Sequence, residues 1–234
     1  MLSEQEQIIS ALQSIHTRID NACEKAGRNK DEVRLLLATK TVPPEKIKMA
    51  IEAGETLIGE NRVQEYTEKF DAIKDLPCER HFIGHLQTNK IKEVLKYVSC
   101  IQSVDSIDLA EKLDTRLQYE DKSIDIFVQV NTSFEESKFG VEPSLAFDLI
   151  KRINQLGTLK IKGLMTIGLF SEDELLVKKS YRLLRELRNE AIAKDLLRAA
   201  SNELSMGMSN DLELAIEEGA TMVRVGSAVF GKRG

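Results

Sequence analysis

The chain has 234 residues, 42% of them hydrophobic and 30% charged, the make-up of a soluble globular protein with one large α/β domain or two small ones. Its net charge of -5 argues against nucleic acid or an anionic membrane surface as the main partner. No apolar run approaches the roughly 18 residues that span a bilayer, and the opening "MLSEQEQIIS" lacks a signal peptide's basic region and apolar core, so a cytoplasmic protein with no membrane partner is expected.

After an opening helix, short apolar runs alternate with longer stretches of helical spacing. The first run is "VRLLLATK" (33–40), in which Leu35, Leu36, Leu37 and Ala38 are continuously apolar, the mark of a strand covered on both faces. Pro43 and Pro44 stop the strand and can open a helix, because proline fits the first helical turn. The helical stretch "PEKIKMAIEAG" (44–54) follows, then the runs "TLIGEN" (56–61) and "RHFIGH" (80–85). "TNKIKEVLKYV" (88–98), "DLAEKLDTRL" (108–117) and "PSLAFDLIKRINQLG" (143–157) have helical spacing. Between and after them come "CIQSVD" (100–105), "IDIFVQVN" (124–131) and "LKIKGLMTIG" (159–168). Ser171–Lys194 is the most charged segment, with Leu175, Leu176, Leu183, Leu184 and Leu187 at helical spacing; a solvated outer helix is predicted. "ELSMGMS" (203–209) and "TMVRVGSAVFG" (221–231) complete eight runs. Gly54, Gly157 and Gly219 follow helical stretches, the usual place of a helix-ending glycine.

Strict alternation implies parallel strands with right-handed helical crossovers. Eight such repeats closing on themselves make a (β/α)8 TIM-type barrel, here with an extra N-terminal helix, and about 250 residues is its typical size. No proline- or glycine-rich linker divides residues 1–234, so a single domain is expected. An open doubly wound sheet is the alternative, although no G-x-G-x-x-G follows the first strand.

In a barrel, ligand sites collect at the carboxyl ends of the strands. There the sequence delivers Lys40, Asn61, His85, Asp105, Asn131, Thr166, Ser205 to Ser209 and Gly226-Ser227. Catalysis by paired carboxylates needs two acids, and Asp105 stands alone. His85 is the only histidine at a strand end, and Cys23, Cys78 and Cys100 are few and widely spaced, so neither a metal site nor disulfides are predicted. What remains is a lysine amine and a place for an anion. Gly226-Ser227 ends the last strand and begins a short helical turn whose N–H groups can approach a phosphate. Ser209 stands at the start of the preceding helix, as its cap or as a phosphate donor. A buried amine beside a phosphate cradle suggests a Schiff base with a phosphorylated aldehyde, since desolvation makes a lysine nucleophilic. Pyridoxal 5′-phosphate (PLP) fits such a site, with Arg224 offering a guanidinium to its ring nitrogen.

Over essentially its whole length the chain resembles the pyridoxal phosphate homeostasis proteins, which look like the barrel half of alanine racemase. The resemblance lies in "LLLATKTVPP" (35–44), "GENRVQE" (59–65), "HFIGHLQTNK" (81–90), "SKFG" (137–140), "GLMTI" (163–167), "LSMGMSND" (204–211) and "TMVRVGSAVFG". It implies Lys40 as the Schiff-base lysine, Ser209, Gly226 and Ser227 as phosphate holders, and Arg224 as the partner of the pyridine nitrogen. Asn61 and His85 match family positions near the cofactor. Asn131, Met165 and Thr166 are read as lining of the same mouth, and Ser205 as either a cofactor contact or barrel-interior filler.

Departures from the racemase pattern are equally informative. Racemases carry a tyrosine four residues after the lysine, where Pro44 stands, and a ring-stacking histidine where Ile167 stands. They continue into a second domain with a catalytic tyrosine, whereas this chain ends at Gly234. A two-base racemase needs a proton acceptor on each face of the ring, and only Lys40 offers one. Arg224 can only donate to the ring nitrogen, which leaves the ring a poorer electron sink. The expectation is a monomeric protein that holds PLP as a lysine Schiff base and serves vitamin B6 and amino-acid homeostasis, with PLP-dependent apo-enzymes as candidate recipients and no established turnover. A weak fold-type III PLP-dependent amino-acid racemase and a Schiff-base aldolase on a phosphosugar are the alternatives.

Overall fold

In the computed structural model, which describes residues 2–231, eight parallel strands close into a barrel in sequence order. They are β1 (Arg34–Ala38), β2 (Leu57–Glu60), β3 (Glu79–Phe82), β4 (Cys100–Val104), β5 (Ile124–Gln129), β6 (Leu159–Met165), β7 (Glu203–Met208) and β8 (Met222–Val225). Each of the eight apolar runs supplies one strand. Pairing of β1 with β8, Leu36 opposite Arg224 and Leu37 opposite Val225, rules out the open sheet. The ends of the expected domain, Met1 and residues 232–234, lie outside the described residues.

The apolar runs are continuous because both faces of each strand are covered. One face fills the barrel with Leu36, Leu57, Cys100, Phe127, Met165 and Met222. The other packs on helices, Leu35 and Leu37 for example joining the larger outer core. Those helices are α1 (Glu4–Lys25), α2 (Pro44–Glu52), α3 (Val63–Ile73), α4 (Ile91–Val94), α5 (Ile107–Tyr119), α6 (Ala146–Ile153), α7 (Glu174–Ala193), α8 (Leu212–Glu217) and α9 (Ser227–Phe230). The extra helix α1 starts in a Ser3–Glu6 capping box and buries Ile8, Leu12, Ile15 and Ile19 against α2, α8 and α9.

Three expectations need correction. The apolar stripe of α7 is Val177, Tyr181, Leu184, Leu187 and Ala191, while Leu175 and Leu176 are 77% and 46% exposed. At 100° per residue Leu175 lies about 180° around the helix from Leu184, so it cannot share its face. The helix expected over 88–98 is α only at Ile91–Val94, after a 3-10 turn at Thr88–Lys90. Gly54 and Gly219 take left-handed φ of +110° and +96°, but α6 already ends at Asn154, so Gly157 is not its terminator.

The connection from β1 to α2, which carries Lys40, is held from below by β2 and α3. Lys69 Nζ donates to the Thr39 carbonyl and to Glu60 Oε2, both at 2.8 Å. Thr41 has a left-handed φ of +60°, a cost of about 1–3 kcal/mol for a residue other than glycine, and its N–H donates to Glu65 Oε2 at 2.7 Å. The Glu60 side chain is 2% exposed and that of Lys69 12%. Burial pushes the Glu60 carboxyl above its usual range, and Lys69 opposes that shift.

Two outcomes are expected. Lys69→Met strands the Glu60 carboxylate and should cost about 3–5 kcal/mol near neutral pH, read by urea unfolding. A carboxyl raised in the folded state stabilises in acid and loses that contribution as pH rises through its folded pKa. The deficit of Lys69→Met should therefore shrink as pH falls, and a pH-independent deficit would contradict this account. On Gly163, a Cβ would sit 1.9 Å from the Glu203 carbonyl oxygen across the β6–β7 pairing. Gly163→Ala should lower stability by about 1–3 kcal/mol, and an unchanged unfolding midpoint would show that the strands can part without cost.

Candidate cofactor site

A cavity of about 240 Å³ opens at the β1–β8 seam on the carboxyl face, lined by Ala38, Lys40, Pro43, Gly226, Ser227 and Phe230 among others. Lys40 is exposed rather than buried, which corrects the expected desolvated amine. The last buried side chain of the run is Thr39, at 2% exposure, and the turn at Lys40–Thr41 lifts the amine into the solvated mouth. Gly226 has an ordinary φ of -128°. Its lack of a side chain matters instead for space, since a Cβ would sit 3.0 Å from the Ala38 carbonyl oxygen. Ser227, also exposed, opens α9, and the first N–H groups of a helix have no intrahelical acceptor.

Ser209 is not a helix cap. Asp211 occupies that position in α8, and Ser209 lies in the preceding turn, where its carbonyl accepts from Arg18 Nη2 at 2.9 Å. That turn follows β7 and so neighbours the Gly226-Ser227 turn after β8. Ser209 does not line the cavity that holds Lys40.

Arg224 and Ser205 lie deeper. Arg224 is 6% exposed and points into the barrel, where Nη1 donates to Ser205 Oγ at 2.8 Å and Nη2 to the Thr166 carbonyl at 2.7 Å. Both acceptors are neutral, and burial pulls the guanidinium below the usual arginine range. A guanidinium has five N–H donors, so three remain without an acceptor among the described residues. Ser205 is fully buried, so it sits in the interior rather than at the mouth.

Asn61 follows β2. Its Oδ1 is buried without a hydrogen-bond partner among the described residues, and its backbone runs close to Gly84, where a Cβ would meet the Asn61 carbonyl oxygen at 2.0 Å. The glycine of "HFIGH" is thus required by close approach. His85, two strands from β1, does not line the Lys40 cavity. It is exposed, stacks on Phe139 with ring centroids 3.7 Å apart, and places Nδ1 4.0 Å from Asp105 Oδ2. Burial pushes the Asp105 carboxyl up, with His85 opposing. Asn131 donates to the Glu135 and Lys138 carbonyls and shapes its own loop. Thr166 is tied to Thr132 at 3.0 Å, and Met165 is wholly inside the barrel, so neither lines the mouth.

The residues fit a phosphorylated pyridine aldehyde: an accessible amine, a hydroxyl and free N–H groups at a side-chain-free cradle, and a buried guanidinium with unused donors. The sequence reading missed Glu60, Glu65 and Lys69, which hold the lysine loop, and Gln102, which accepts from Ser205 at 2.6 Å. Their signal is a polar residue inside an apolar run, Glu60 in "TLIGEN" and Gln102 in "CIQSVD".

Residues 12–234 match the alanine racemase N-terminal domain. The pyridoxal phosphate homeostasis protein of Aquifex aeolicus is 45% identical over 95% of this chain and 96% of its own length. The human protein of that name is 37% identical over 95% of this chain and 86% of its own. PipY of Synechococcus elongatus, solved with PLP bound, superposes with a TM-score of 0.83 at 31% identity, covering 96% of this chain and 100% of that one. An alanine racemase of Clostridium difficile shares the fold alone, with a TM-score of 0.78 at 13% identity over 96% of this chain and 57% of its own. With the barrel, the lysine turn and these relatives in agreement, the chain belongs to the pyridoxal phosphate homeostasis protein family.

Proposed function

We propose that the protein binds PLP at the carboxyl face of the barrel through Lys40 and serves vitamin B6 and amino-acid homeostasis in the cytoplasm, as a monomer that passes the cofactor to PLP-dependent apo-enzymes. One observation carries this reading: Lys40 and the Gly226-Ser227 turn line one cavity, above a buried Arg224 with donors to spare. When bound, PLP supplies an aldehyde that amines attack and a ring that draws electrons from the attached carbon. Lys40 provides the covalent amine. Ser227, the N–H groups that open α9, and Ser209 on the adjacent turn hold the phosphate. Arg224 donates to the ring nitrogen and keeps it unprotonated. Asn61 contributes an unmatched acceptor, and His85 with Phe139 borders the far side of the mouth.

The same arrangement suits holding better than turnover. Racemisation needs an acid–base group on each face of the ring, and beside Lys40 the cavity lining offers Lys46, which is engaged with Glu4 at 3.0 Å. Solvent reaches the amine directly, which favours exchange of the cofactor and does not shield a carbanion.

Borohydride reduction of PLP-loaded protein should fix the cofactor on Lys40, located by peptide mass mapping, and Lys40→Ala should lose the visible absorbance while remaining folded. An adduct on Lys90 or Lys138 instead would refute the assignment. With L-alanine in deuterated water, Cα exchange should be far slower than the roughly 1 per second at which ordinary enzymes begin, while PLP transfers to an apo-enzyme. Faster exchange would make the protein a racemase-type enzyme.

A further inference from the structure

A line of hydrogen bonds crosses the barrel interior from Arg224 to the opposite end. Arg224 Nη1 donates to Ser205 Oγ at 2.8 Å, and Ser205 Oγ donates to Gln102 Oε1 at 2.6 Å. Gln102 Nε2 lies 2.7 Å from His81 Nδ1 and 3.1 Å from Met222 Sδ. His81 Nε2 stands 3.5 Å from Glu79 Oε2, and Glu79 pairs with Arg34 at 2.8 Å. The four inner members are at most 6% exposed and come from β8, β7, β4 and β3.

Arginine sets the direction of the whole line. A guanidinium only donates, so Ser205 Oγ accepts from it. The serine proton then has Gln102 Oε1 as its only acceptor among the described residues. That orients the Gln102 amide, turns its NH₂ group toward His81 and the Met222 sulfur, and makes His81 Nδ1 an acceptor. The His81 proton therefore sits on Nε2, facing Glu79. Turning the amide over would orphan the serine proton and set a carbonyl oxygen against the sulfur.

Packing does not ask for this polarity. The neighbouring interior is Leu36, Leu57, Cys100, Phe127, Met165 and Met222, and an amide is costly to bury unless its hydrogen bonds are complete. We infer that Gln102 is a positioning residue for the ring end of the cofactor, holding Arg224 through Ser205 so that its unused N–H groups face the ring nitrogen. The inference rests on PLP binding as proposed above. Without the Gln102–Ser205 support, the Thr166 carbonyl is the one remaining hydrogen-bond acceptor for the guanidinium among the described residues.

The test has an arm that needs no cofactor. In unliganded protein, ¹⁵N NMR of the His81 imidazole should show a bare Nδ1 and a protonated Nε2; Gln102→Glu, which cannot donate, should move a proton onto Nδ1. A protonated Nδ1 in the parent would overturn the inference. For the cofactor arm, PLP is titrated by absorbance. Gln102→Leu should weaken binding about tenfold, the worth of one buried hydrogen bond, and shift the visible maximum. Gln102→Glu keeps the serine's acceptor and should stay within about threefold of the parent. In an Arg224→Lys background Gln102→Leu should add less than about twofold, because the effect acts through Arg224. A folded Gln102→Leu protein with unchanged affinity and spectrum would overturn the inference, as would full additivity with Arg224→Lys. A parent that binds no PLP overturns the functional reading itself, whatever the His81 tautomer.

Discussion

Closure of the sheet between β1 and β8 is the constraint on which the rest depends. Lys40 and Gly226 come from opposite ends of the chain and meet only because Leu36 pairs with Arg224 and Leu37 with Val225. Closure also removes the exposed strand edges that an open sheet must protect, and it divides the apolar residues into an inner and an outer core. Gly226 belongs to the same constraint. With its Cβ position only 3.0 Å from the Ala38 carbonyl oxygen, it lets the two strands run together to the mouth.

Buried charge is managed in two different ways around that seam. Beneath the lysine turn, Glu60 meets Lys69, and the pair also ties down Thr39. In the barrel interior, Arg224 has no carboxylate hydrogen-bond partner among the described residues and leans on neutral oxygens. A charge so placed is only partly compensated, which leaves it disposed toward an electron-rich ligand atom. The first arrangement fixes a loop; the second leaves capacity for a guest.

Much of this was legible in the sequence because it follows from local patterns. Continuous apolar runs mark doubly covered strands, Pro43-Pro44 marks the start of α2, and Lys40 directly after the first run marks the carboxyl face. The leucines of α7 misled because two of them, Leu175 and Leu176, match the helical period without matching its phase. Ser209 misled because serine caps many helices, while here Asp211 is two residues closer to α8.

By itself, then, the sequence determined the element types, the eightfold alternation and the residues that reach strand ends, since each depends on neighbours within a few positions. Exposure of the Lys40 amine, the Glu60–Lys69 clamp, the unmatched Asn61 oxygen and the direction of the Arg224–Ser205–Gln102–His81 line were decided only by the tertiary structure. The clamp and the line join side chains from different strands and helices, and the other two depend on what surrounds a side chain in space. Hydrogen-bond geometry and desolvation are set by distances in space, and closing the barrel creates those distances.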